Sequence, residues 1–224
     1  MTGQANGRPG PVPGLGGTGR LADDLWLIAH HELTGRPHLA PRAVGLGLAG
    51  ALLAELVLAH AITVETGTVT SVWPGQAGDP LTAAVAGQIV SENPQRPVAD
   101  WLAFLARTAP GDVAARLAQA GYLAPAPRRP WRAGRWAPVD PDCAFAPVAR
   151  LNAALNPARP GDAQAITLAG LAAACGLGPR LGLYLPPGAR ARTGALVPLL
   201  GPGLRQVITQ TQAAVDAALL AHRV

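Results

Sequence analysis

The chain has 224 residues, 49% of them hydrophobic, and a positive mean hydropathy of +0.22, enough to close one substantial core and no argument for a second. Eighteen basic residues, all arginine, against 13 acidic ones give a net charge of +5, which favours acidic partners such as phospholipid surfaces or nucleic acid. Cys143 and Cys175 form no C-x-x-C pattern, no charged and then apolar leader opens the sequence, and position 2 is not glycine; a reduced cytosolic protein without N-myristoylation is expected.

Residues 1–19 are glycine, proline and small polar residues, a composition that reads as a disordered tail ahead of a helical domain over 20–224. LADDLWLIAHHELTG, from Leu21, fits a short helix or a strand-like edge. Pro41 to Ala61 is apolar nearly all round, interrupted by Glu55 and His60. Its length approaches a bilayer span, but a mid-segment carboxylate is costly in hydrocarbon, so it reads as the central buried helix of a bundle.

ITVETGTVTSVW alternates about Thr66 and Gly67 and predicts a β-hairpin. LTAAVAGQIVSE, VADWLAFLAR and DVAARLAQAG carry apolar residues at helical spacing, and a second hairpin is expected from Tyr122 to Val139. Helices follow near Cys143–Leu155, Asp162–Cys175, Ala189–Leu200 and Leu204–His222, separated by the breakers NPARPG, GLGP, LPPG and GPG. The predicted class is mainly α: a helical bundle with surrounding amphipathic helices and two short β-hairpins.

Chemistry is sparse. Gly45, Gly47 and Gly50 spell G-x-G-x-x-G, but no strand precedes them, so close helix packing is the better reading than a dinucleotide turn. His30, His31, Glu32 and His38 lack a metal-ligand spacing and read as hydrogen-bonded loop histidines. Ser71 and Ser91 sit in no nucleophile motif. The acidic pairs Asp23–Asp24 and Asp140–Asp142 stand at element ends, where capping is the ordinary use. No enzyme, cofactor or metal is expected.

The segment APAPRRPWRAGRW in the second hairpin interleaves Arg128, Arg129, Arg132 and Arg135 with Trp131 and Trp136. Indole favours the headgroup boundary and arginine matches phosphate, a pairing suited to an anionic membrane surface. A solvated loop with tryptophans packed back on the bundle, or a grip on nucleic-acid phosphates, uses the same residues.

The order of segments resembles the Golgi phosphoprotein 3 family over about Leu21 to His222. LADDLWLIAHHELTG is similar to its opening segment, and LGLAGALLAELVLAHAITVE, with Glu55-Leu56, to its best-marked motif; GDPLTAAVAGQI, PVADWLAFLA and LAQAGYL follow in family order. The resemblance implies a helical core without catalytic activity. It also implies phosphatidylinositol 4-phosphate binding, recruitment of membrane-protein clients, and a hairpin used in membrane contact and self-association, here at 122–139. The family's headgroup tryptophan and arginine fall at Ala40 and Ala49, and its later arginine pair at Arg107 and Pro110; a shift of a few residues brings Arg42 into that site. The expectation is a cytoplasmic protein, peripheral on the inner leaflet, binding phosphoinositide-like lipid through Arg42, Arg107 and the hairpin arginines. The alternatives are an oligomeric adaptor without a lipid site and, more weakly, nonspecific nucleic-acid binding.

Overall fold

Two apolar segments near the start of the chain form the centre of the molecule. In the computed structural model, which describes residues 17–92, 95–126, 136–156 and 161–221, they are helices α1 (Leu21–Ala29) and α2 (Pro41–Leu58). Every residue of α1 is buried, so the segment left open between helix and strand edge is a helix covered on all sides. α2 is buried from Ala43 through Ala54 and again at Leu56. It is long and apolar enough to cross a membrane, yet 72% of it lies inside the protein, as a central core helix should.

Pro41 starts α2, where its missing N–H costs no helix bond. The three glycines of G-x-G-x-x-G lie inside α2 and cost about 1 kcal/mol each in helix propensity. Their use is close approach. A Cβ at Gly45 would run into the Ala106 carbonyl, one at Gly47 into Sγ of Cys175, and one at Gly50 into Oγ1 of Thr211. The fingerprint is a packing surface.

Among the described residues there are ten α-helices and two antiparallel two-stranded sheets. Strands β1 (Ile62–Glu65) and β2 (Thr68–Val72) pair through a turn at Thr66 and Gly67, both with positive φ, the backbone that a two-residue hairpin requires. Helices α3 (Pro80–Glu92), α4 (Val98–Leu105) and α5 (Ala109–Gln119) follow. Strands β3 (Leu123–Pro125) and β4 (Trp136–Pro138) form the second hairpin, with Leu123 opposite Pro138 and Pro125 opposite Trp136.

The chain closes with α6 (Pro141–Ala154), α7 (Ala163–Ala174), α8 (Gly178–Leu181), α9 (Ala189–Leu196) and α10 (Pro202–Ala221). α8 is a helix where the GLGP breaker suggested only a connection; its proline sits in the first turn, where it is tolerated. Of residues 1–19, read as a tail, 1–16 lie outside the described residues. Thr18 turns back on α1, its amide and hydroxyl donating to Oδ1 of Asp24 at 2.7 and 2.9 Å.

Contacts fix the direction of each helix against α2. Gly203 lies against Val57 and Thr211 against Gly50, so α10 runs antiparallel to α2 and its last turn comes level with the first turn of α2. The Ala22 amide donates to Oε1 of Glu55, and Leu25 lies beside Gly47, so α1 is antiparallel as well. The α1–α2 connection, the end of α10 and the α4–α5 turn therefore share the N-terminal end of α2.

Candidate functional site

That end is electrostatically positive by construction. An eighteen-residue helix carries partial positive charge at its start, and here neither a capping side chain nor an acidic residue in the first turn offsets it. Arg42 is exposed in that turn and has no hydrogen bond or ion pair among the described residues. It lies three residues before Gly45, hence on the same helix face, and Gly45 is where α2 meets Ala106. Arg107 is the next residue.

Arg107 is exposed, with its guanidinium 5.1 Å from the Phe104 ring centroid and its Nε donating to the Phe104 carbonyl at 3.3 Å. No carboxylate among the described residues pairs with it. Two exposed arginines and a helix N-terminus thus lie at the same end of α2, a composition that suits phosphate or another anion.

The second hairpin leads to the same end. Gly35, with φ of +58°, is buried in the α1–α2 connection, and a Cβ there would collide with the Trp136 carbonyl. Trp136 is half-buried and packs on the core, which limits it as a membrane-contact residue. Arg128, Arg129, Trp131, Arg132 and Arg135 lie outside the described residues. The Pro125–Trp136 pair, next to the point where that segment leaves the strands, lies beside the connection into α2.

Of the positions where the resemblance puts further headgroup residues, Ala40 is half-buried, Ala49 is fully buried within α2, and Pro110 is half-buried in the first turn of α5.

Sequence reasoning missed the main polar feature of the interior. Asp23 and Asp24, expected as caps, are 2% and 0% exposed. Arg116 of α5 donates from Nε to Asp23 at 2.8 Å, from Nη1 and Nη2 to Glu55 at 3.1 and 3.2 Å, and from Nη1 to Asp79 at 3.1 Å. Burial lifts Asp23 to about 7 despite Arg116, and raises Glu55 as well. Burial acts on Asp79 too, but its bonds to Thr82 and Arg116 win and hold it below the usual carboxylate range. Asp24 is taken by Thr18 and, at 3.4 Å, by Arg150. The available signal was an acidic pair inside an otherwise apolar helix. Asp140 does cap, accepting from the Asp142 amide.

The histidines divide. His30 is buried, stacked on Trp26 at 3.9 Å between centroids and bonded through Nδ1 to the Trp26 carbonyl; burial lowers it to about 4. It is a core residue and not the loop histidine expected. His31 accepts from the Leu33 amide. Among the described residues no group of three or more His, Cys, Asp or Glu side chains is placed to hold a metal. Cys143 and Cys175 are free and buried, as read.

Compared with models of known families, residues 21–211 match Golgi phosphoprotein 3 (GPP34). Comparison with curated proteins returns no match.

Proposed function

The chain belongs to the Golgi phosphoprotein 3 family, and on that premise we propose that it is a non-enzymatic, peripheral membrane protein that binds anionic phospholipid headgroups. The observation that carries this reading is the shared end: Arg42, Arg107, the uncapped start of α2 and the Pro125–Trp136 strand pair all stand near the N-terminal end of α2. Leu33, 63% exposed in the α1–α2 connection, and Leu220, 65% exposed in the last turn of α10, add apolar contacts at the same end. Charge with scattered exposed leucine suits reversible adsorption on an anionic surface.

Headgroup choice follows from what is missing. With alanine at positions 40 and 49 the site lacks an indole platform and a second inward cation, so binding depends on surface charge density more than on phosphatidylinositol 4-phosphate itself. Membrane-protein clients, a cytoplasmic location and docking on the inner leaflet belong to the same reading. Co-sedimentation with vesicles of graded anionic content tests it: bound protein rises with anionic fraction and falls with salt. Absence of binding at low salt contradicts it.

A second reading, an oligomeric adaptor without a lipid site, draws on the same two alanines. Sizing the protein with and without residues 127–135 separates them, since the adaptor requires an oligomer that the deletion dissolves.

A further inference from the structure

On the side of the bundle formed by α7, α9 and α10 lies a half-open cleft of about 870 Å³, in the range that holds small-molecule ligands. Its walls are apolar and small. Ala173 and Ala174 of α7, Gly194 of α9 and Ala213 of α10 line it, together with Leu181 and Ile208. A half-open apolar cleft of this size has room for an apolar ligand.

Two charged side chains, Arg190 and Asp216, line the cleft; Arg180, Arg192 and Arg205 of the same part of the chain do not. Arg190 is exposed and lines the cleft. Asp216, the acid in the lining, already accepts from Nε2 of Gln212 at 2.9 Å. We propose that the cleft binds the chain of a long-chain fatty acid, its carboxylate held at the mouth by Arg190. This site stands apart from Arg42 and Arg107 and does not depend on the headgroup reading.

The glycines supply a clean test. A Cβ at Gly194, a lining residue, would meet nothing within 4 Å, so Gly194→Phe starts its side chain in open space, adds bulk at the cleft and replaces a poor helix former. Full-length protein is titrated with cis-parinaric acid, whose fluorescence rises on transfer to an apolar site. The expected result is saturable binding of one molecule per chain, displaced by palmitate and at least about tenfold less well by hexadecanol, which lacks the charge that arginine recognises.

Gly194→Phe should abolish binding with an unchanged melting temperature, and Arg190→Glu should weaken the acid but spare the alcohol. The Arg42→Ala/Arg107→Ala variant should bind parinarate as the wild type does, whatever it does on vesicles. Absence of saturable binding, or binding that survives in folded Gly194→Phe protein, overturns the proposal. Equal competition by hexadecanol overturns the role given to Arg190. Loss of a dimer in Gly194→Phe without fatty-acid binding assigns the cleft to a second copy of the chain and overturns it too.

Discussion

The Nε of Arg116 donates to Oδ1 of Asp23 at 2.8 Å, joining α5 to α1 across 93 positions of sequence. The same guanidinium reaches Glu55 on α2 and Asp79 before α3. One cation therefore stands among three carboxylates, each of them largely enclosed. Removing it leaves Asp23 and Glu55 buried without a paired cation among the described residues, although Glu55 keeps the Ala22 amide and Asp79 keeps Thr82 and, at 3.9 Å, Arg20. Arg116→Met should cost about 3–5 kcal/mol, the usual penalty for breaking a buried ion pair from one side; urea unfolding measures it, and a loss under 1 kcal/mol would show that the cluster is not a structural link.

His30 sets a pH dependence of known sign. Burial keeps it neutral down to about pH 4, whereas the unfolded chain takes up its proton near 6.5. Stability from this group is present above 6.5 and lost as pH falls towards 4. Asp23 and Asp24 act the other way: burial raises them from 3.8 to about 7 and about 6, so the stability they lend in acid is lost as pH rises between those limits. His30→Phe leaves both acids in place, so comparing the two proteins isolates the histidine. Between pH 7 and pH 4 the wild type should lose about 3 kcal/mol more than the variant; parallel pH profiles would contradict the assignment.

Two glycines of one motif should separate stability from binding. Leucine at Gly45 or Gly50 forces neighbours apart, at the Ala106 carbonyl or at Thr211 respectively. Each should destabilise by about 1–3 kcal/mol. Only Gly45→Leu displaces the turn that carries Arg107, so only that variant should bind anionic vesicles more weakly at a temperature where both are folded. An equal effect from both would detach Arg107 from the site.

The helical bundle was legible because its signals are local. α2 is apolar on every side and opens on proline; the Thr66–Gly67 turn announces β1 and β2; Asp140 and Asp162 mark the starts of α6 and α7 by capping their amides. Part of what stayed hidden depends on contacts between segments far apart in the chain: Asp23 looks like a first-turn acid until Arg116 arrives from α5. His30 is a local miss, since it stacks on Trp26 one turn earlier and is buried because α1 is covered on all sides.

The candidate site lies between these cases. Arg42 and Arg107 were singled out by resemblance, since neither has a local pattern that marks it. That both stand at one end of α2 depends on Gly45, whose missing side chain lets the α4–α5 turn approach α2. The cleft beside α9 had no sequence signal, because a small residue reads the same whether it faces a neighbour or an empty space.

The central claim is that this end of α2 docks on anionic lipid. The direct measurement is partitioning onto vesicles, with anionic lipid supplied either as phosphatidylserine or as phosphatidylinositol 4-phosphate at matched surface charge, for the wild type and for Arg42→Ala/Arg107→Ala. Each arginine near such a surface contributes about 1 kcal/mol, so the double variant should bind roughly 30-fold more weakly, with a shallower salt dependence and little preference between the two lipids. Undiminished binding by a folded double variant, or no binding by the wild type at low salt, would contradict the account.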